Sequence, residues 1–295
     1  MHLSKNSFDQ ASGLRNIIGM KPVQVITVTG GKGGVGKTNI AANMSVALAN
    51  KGKRVLVLDA DLGLANMDIV LGVQAKYNLS HVINGEKTIN EIMVDGPSGI
   101  KIIPASSGIK EMTTLGYRDY AGIIREFNTI SYNPDVLIID SAAGIASDVI
   151  AFSRASHDVV VVVCDEPASI TDAYALMKIL ERDHAVKKFR IIANMVNTHA
   201  AGRVLFNKLL KVTDRFLDVT LDYVGAVPFD EYLKKSIQKQ KPVVNLYPRS
   251  PSSMAINKYA DKTDKWPIPD TPSGHIEFFL ERLYLSKHNS MAKMI

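Results

Sequence analysis

The segment Val23–Thr38, VQVITVTGGKGGVGKT, limits this chain more than any other stretch. A β-branched apolar run from Val23 to Thr29 turns into glycines and ends in Lys37-Thr38, just before a helical pattern. Gly31, Gly36, Lys37 and Thr38 satisfy G-x-x-x-x-G-K-[ST], in the strand-loop-helix context that this phosphate-loop pattern requires. Glycines at 31, 33, 34 and 36 let the backbone N–H groups of the loop, through Val35, turn inward on phosphate oxygens. The helix that follows, from Thr38 and Asn39, opens with unpaired N–H groups and a positive dipole end aimed at the same phosphates. Lys37 adds a point charge at the β- and γ-phosphates, and the Thr38 hydroxyl suits Mg²⁺. A glycine-rich turn that only joins a strand to a helix would explain the glycines but not the spacing and flanks together.

The rest of the chain fits around such a loop. Buried apolar strands are expected at Val55–Leu58, Ile100–Ile103, Val136–Ile139, Val159–Val163, Ile191–Ala193 and Tyr223–Val227, most of them separated by helix-length segments. Strands apolar on both faces suit a parallel sheet covered by helices on both sides. The alternation predicts an α/β fold, a doubly wound, mostly parallel sheet of about seven strands, with ligands at the carboxyl ends of the strands. Ile40, Met44, Ala47 and Leu48 share one face of the helix after the loop. Residues 241–272 are rich in proline around a helix from about Ser253 to Lys265, and Ile276, Phe279, Leu280, Leu283 and Tyr284 stripe a final helix near 272–285. Residues 22–295 are taken as one domain around the phosphate loop that includes this C-terminal elaboration, and residues 1–21 as a separate segment in which Phe8, Ala11, Leu14 and Ile18 recur at about helical spacing and predict a short amphipathic helix near 8–18.

Two acidic motifs end strands. Asp59 and Asp61 close the second strand in DADLGLANMD. A carboxylate there can orient the water that attacks a γ-phosphate, or it can cap the turn. The run VLIID at 136–140 is an apolar strand ending in an acid, and Asp140 is placed to hold Mg²⁺ directly or through water.

Composition narrows the class. The 295 residues are 46% hydrophobic, enough for one large core, and the net charge of +6 is milder than a dedicated nucleic-acid binder carries, so no direct nucleic-acid contact is expected. The single cysteine, Cys164, rules out an internal disulfide and fits a reducing compartment. The polar N-terminus and the lack of an apolar run near the ~18 residues of a membrane span point to a cytoplasmic protein.

A second loop lysine, Lys32, gives GKGGVGKT, which resembles the deviant phosphate loop of the MinD/ParA superfamily of dimerising ATPases over about residues 22–240. The resemblance implies binding of ATP or ADP with Mg²⁺, slow hydrolysis that depends on homodimerisation, and a Lys32 that reaches the partner's nucleotide. It assigns water activation to Asp61 and a Walker B role to Asp140, here followed by Ser141-Ala142-Ala143-Gly144 without the family's usual proline. It also puts Asn194, Pro228 and Asp230 beside the base, a role that spacing alone would not give them. The stretch Asp9-Gln10-Ala11-Ser12-Gly13-Leu14-Arg15 is similar to the DQAxxLR element of the FlhG/FleN flagellar-number regulators, and GHIEFFLERL at 274–283 is similar to the end of that family.

That resemblance implies a homodimer, a partner GTPase of the FlhF type engaged through Asp9, Gln10, Leu14 and Arg15, restraint of the flagellar master transcription activator, and reversible membrane association at a cell pole. A MinD-type division-site ATPase, a ParA-type partition ATPase and a nucleotide-gated scaffold with incidental hydrolysis are the alternatives. For partition, Lys234, Lys235, Lys239 and Lys241 are a candidate basic face, although at helical spacing such lysines are more often solvated. The final helix has Glu277 and Glu281 on its polar face, which favours packing on the domain over a membrane for at least part of it.

Overall fold

The computed structural model describes residues 23–61, 66–104, 126–127 and 129–267. Asp9, Gln10, Leu14 and Arg15, with the helices expected near 8–18 and 272–285, lie outside the described residues.

The chain runs β1 (Gln24–Gly30), α1 (Lys37–Ala49), β2 (Val55–Ala60), α2 (Met67–Leu71), α3 (Leu79–Ile83), α4 (Ile89–Ile92), β3 (Val94–Asp95) and β4 (Lys101–Pro104). It continues with β5 (Val136–Ala143), α5 (Ser147–Ala155), β6 (Asp158–Val163), α6 (Pro167–His184), β7 (Lys188–Val196) and α7 (His199–Phe216). It closes with β8 (Thr220–Pro228), α8 (Glu231–Gln238), α9 (Val243–Leu246) and α10 (Pro251–Thr263). One sheet of eight strands has the order β3-β4-β2-β5-β1-β6-β7-β8. Every neighbouring pair is parallel except β3 with β4. The eighth strand, beyond the seven expected, is this two-residue antiparallel edge, too short for any periodicity to signal.

β1 and β6 are buried at every position, as strands covered on both faces must be. Their alternating side chains feed different cores. Ile26, Val28, Val160 and Val162 pack with α1, α9 and α10, while Val159, Val161 and Val163 pack with α5, α6 and α7. A third cluster joins Val25, Leu56, Leu58, Leu137 and Ile139 to α3, α4 and α5.

The helix after the loop departs from the one-faced pattern expected of it, because every residue from Ile40 to Leu48 is buried. The cause lies far along the chain: Val243, Val244, Ala255, Ile256, Tyr259 and Ala260 roof its outer side and share its core. At the opposite ends of the strands from the loop, buried Arg190 donates to Asp158 at 2.7 Å and to Asp222 at 2.5 Å, and its guanidinium lies 3.7 Å from the Trp266 ring centroid. That cluster satisfies an otherwise costly buried charge and ties β6, β7 and β8 to the segment after α10.

Candidate nucleotide site

The loop between β1 and α1 is shaped by two close approaches. A Cβ on Gly31 would lie 2.1 Å from the carbonyl carbon of Asp172, so α6 packs directly on the loop backbone. Gly36 sits at φ +91°, and a Cβ there would lie 2.3 Å from the Asn194 amide nitrogen. Gly33 and Gly34 are different: nothing lies within 4 Å of a Cβ at either position. The first pair of glycines lets the loop fold, and the second leaves its mouth open.

Beneath the mouth, β1, β5 and β2 bring three chemistries into register. Val28 and Asp59 both pair with Asp140, so the two carboxylates stand side by side across the ladder. Both are buried. Burial pushes the Asp140 carboxyl up to about 8, with the charges of Asp59 and Asp61 adding to the rise while the Thr38 hydroxyl and Lys37 pull it back. Burial likewise raises Asp59 to about 7. Lys37 is buried as well, and burial lowers its pKa against the opposing pull of Asp140 and Asp61. Neither oxygen of Asp140 has an aligned hydrogen-bond partner, and the Asn39 Oδ1 also lacks one. Buried carboxylate oxygens without partners are costly unless something else meets them.

The turn after Asp140 begins later than its sequence suggests. Ser141 to Ala143 remain strand, with Ser141 Oγ donating to the Val28 carbonyl at 3.2 Å and Gly30 paired with Ala143. Gly144, at φ +92°, makes the turn and donates its N–H to the Gly30 carbonyl at 3.0 Å. Asp59 takes up turn duty at its own strand end, where its Oδ1 accepts the Asp61 N–H at 3.5 Å. Asp61 itself is half-buried and near enough to act on Lys37.

Lys32 lies at the loop's start and donates to Glu166 at 2.5 Å, both side chains being partly exposed. Asn194, at the end of β7, is buried and donates its amide to the Val35 carbonyl at 2.8 Å. That bond fixes the orientation of the amide, and leaves the Asn194 Oδ1 as an unpartnered acceptor. Pro228 ends β8, paired with Val196. Asp230 is engaged in the fold: it caps α8 by accepting from the Tyr232 N–H at 2.9 Å, and accepts from the Ser252 N–H at 3.0 Å and its hydroxyl at 2.6 Å.

Met195, which sequence reasoning passed over, stands beside Asn194 in the left-handed region at φ +56° and is exposed. A non-glycine residue there is uncommon, and no sequence signal announces it. Lys234, Lys235, Lys239 and Lys241 are all exposed on and just after α8. Among the described residues there is no group of three or more His, Cys, Asp or Glu side chains arranged to hold a metal, and no helix is long and apolar enough to cross a membrane.

The family model described as "ParA: NUBPL iron-transfer P-loop NTPase" matches residues 21–264. The chain is 54% identical to the antiactivator FleN of Pseudomonas aeruginosa over 90% of its own length and 94% of that protein's. It is 33% identical to the flagellum site-determining protein YlxH of Helicobacter pylori, over 85% of this chain and 89% of that one. Among solved structures it is similar to the MinD cell division protein of Aquifex aeolicus, with a TM-score of 0.66 and 26% identity over 84% of this chain and 99% of that chain. The chain is a P-loop ATPase and belongs to the ParA family, in the branch that contains FleN.

Proposed function

We propose that this protein is an ATP-dependent, dimerising switch that sets flagellar number and placement. The observation that carries this reading is the Asp140 carboxylate, buried beside Lys37 and the Thr38 hydroxyl under an open glycine loop, with no well-aligned hydrogen bond to either oxygen. A carboxylate so placed fits Mg²⁺, with the Thr38 hydroxyl as its companion ligand, and the ion would neutralise charge on the phosphates. Gly31, Lys32, Gly33, Gly34, Val35, Gly36 and Asn39 cradle the phosphates together with Lys37. Asp61 orients the attacking water. Lys32 leaves Glu166 to reach the nucleotide of a second copy.

The free Asn194 Oδ1 accepts from the 6-amino group of adenine, while a guanine carbonyl at that place would meet only another acceptor, so ATP is preferred over GTP. Pro228 packs on the base. Asp230 acts through its capping bonds rather than on the base itself.

The relatives' names support the biological half of the reading, one being an antiactivator and the other a determinant of flagellar site. On that basis the chain restrains the flagellar master transcription activator. Residues 1–21 form a segment apart from the ATPase domain of 22–295, and Asp9, Gln10, Leu14 and Arg15 engage an FlhF-type GTPase. The protein works in the cytoplasm and associates reversibly with the inner face of the membrane, at a pole.

Turnover of ATP, measured alone, with anionic lipid and with the GTPase, tests the switch. Stimulation by either supports it, and constant turnover under all three conditions overturns it in favour of a scaffold. A synthetic peptide of residues 1–21 that leaves the GTPase's turnover unaltered at saturation would remove the partner assignment.

A further inference from the structure

A second concave site lies at the free edge of the sheet, and none of the residues lining it belongs to the nucleotide loop. It is a cleft of about 310 Å³ between β8, the first turns of α7 and the outer face of α10. That volume lies at the lower end of the range for small-ligand pockets.

Its charges are one-sided. Arg203 from α7 and Lys258 and Lys262 from α10 line it, with His199 at the start of α7. None of the three permanent cations makes an ion pair among the described residues. Lys262 donates to the Val224 carbonyl at 2.6 Å, and Arg203 stacks 4.4 Å from the Tyr223 ring centroid. The cations repel one another: after burial, the charges of Lys258 and Arg203 both lower the Lys262 pKa. Asp222 opposes them, but it is committed to Arg190. Like charges gathered in a concavity without acids are unfavourable in the empty protein and are relieved by an anion.

A second, independent observation points the same way. Tyr259, which lines the cleft, is 2% exposed and its hydroxyl has no hydrogen-bond partner. The fold makes room for that hydroxyl. The β7–β8 register shifts between Ile191 and Ile192, so that Ile191 faces Tyr223 and Ile192 faces Gly225. Gly225 takes φ +153°, and a Cβ on it would lie 2.8 Å from the Tyr259 hydroxyl. A strand bulge and a glycine thus accommodate a buried donor that nothing in the protein uses.

We infer that this cleft binds a phosphate ester, held by Arg203, Lys258 and Lys262 and by the Tyr259 hydroxyl once the ring shifts toward the ligand. The tyrosine rings and Ala255 would cover the ester's apolar part. Two sources supply that chemistry, a soluble phosphomonoester and the headgroup of an anionic phospholipid. The reading is independent of the flagellar assignment.

The test uses the full chain with ADP and Mg²⁺ in saturating excess, so that the phosphate loop is filled. Glycerol 3-phosphate is titrated calorimetrically in one arm, and vesicles of phosphatidylglycerol are compared with phosphatidylcholine in the other. The combined Arg203→Ala and Lys258→Ala variant should bind at least about tenfold more weakly in whichever arm binds, and that arm names the source. Tyr259→Phe should weaken the same binding severalfold while leaving the melting temperature unchanged or higher, because it deletes a hydroxyl that the empty protein leaves unsatisfied. Absence of binding in both arms overturns the inference. So does an unaltered affinity in the double variant, or in Tyr259→Phe.

Discussion

Lys32 and Glu166 are joined by a 2.5 Å ion pair that holds the loop's first lysine on its own subunit. The hydrogen bond to the Glu166 carboxylate, and after it that group's charge, raises the lysine's pKa while the pair is intact. Both partners are partly exposed, and such pairs are weak. Removing Glu166 therefore takes away a minor brake. Glu166→Ala should strengthen ATP-dependent dimerisation by less than about fivefold. Lys32→Ala should leave nucleotide binding by the monomer intact and prevent the ATP-bound dimer. Light scattering with and without ATP checks both. A weakened dimer in Glu166→Ala would mean that the carboxylate serves the interface instead of restraining the lysine.

The glycines of the loop separate into two kinds, and substitution should show it. Gly31→Ala drives a Cβ into the backbone of α6 at Asp172, so the chain itself must shift. Its melting temperature should fall markedly even without nucleotide. Gly33→Ala meets no protein atom within 4 Å. It should leave the nucleotide-free melting temperature unchanged and still weaken ATP binding by about tenfold or more, because the methyl group occupies space that the phosphates need. A Gly33→Ala variant with normal ATP affinity would move the phosphates elsewhere.

Asp61 and Asp59 differ in their surroundings, although both stand at the end of β2. Asp59 is buried and accepts the Asp61 N–H, which is turn work. Asp61 is half-buried and within electrostatic reach of Lys37. Asp61→Ala should keep ATP binding and lower turnover by on the order of 10²-fold, leaving the dimer trapped with its nucleotide. Single-turnover hydrolysis checks this, and an unchanged rate would return Asp61 to a structural role.

The strand-loop-helix nucleus was legible because its signal is local: a buried strand, five glycines and Lys37-Thr38 within sixteen residues. The seven parallel strands were legible for the same reason, each being a continuous apolar run. What stayed hidden depends on contacts made across long stretches of chain. Asn194 supports the loop through the Val35 carbonyl, 159 positions away, and from spacing alone it is an ordinary turn residue. Asp230 was read toward the base on resemblance, while its oxygens meet Ser252 and Tyr232, bonds that no motif encodes. The all-round burial of α1 follows from a roof supplied by residues 243–260.

Asp140 and Asp59 also fix a dependence of stability on pH. Burial lifts the two carboxyls to about 8 and about 7 in the folded chain, against about 4 for an unfolded aspartate. Between about pH 4 and pH 8 the folded chain therefore binds more protons than the unfolded one, and stability falls as pH rises. This runs opposite to an aspartate held by a salt bridge, whose contribution is lost on acidification. For the nucleotide-free protein, the melting temperature should drop by on the order of 5 °C between about pH 6 and pH 8.5. Asp140→Asn should flatten that slope and raise the melting temperature at the alkaline end, since a neutral amide has no charge to bury. It should also weaken nucleotide binding in the presence of Mg²⁺. Saturating Mg²⁺ and nucleotide should flatten the slope in the unaltered protein, because they favour the ionised Asp140 carboxylate. Scanning calorimetry at several pH values, with and without nucleotide, checks each part. A stability that rises with pH through this window in the nucleotide-free protein would show that Asp140 is ionised and compensated in the folded chain, and it would remove the unpartnered carboxylate as the basis for Mg²⁺ binding.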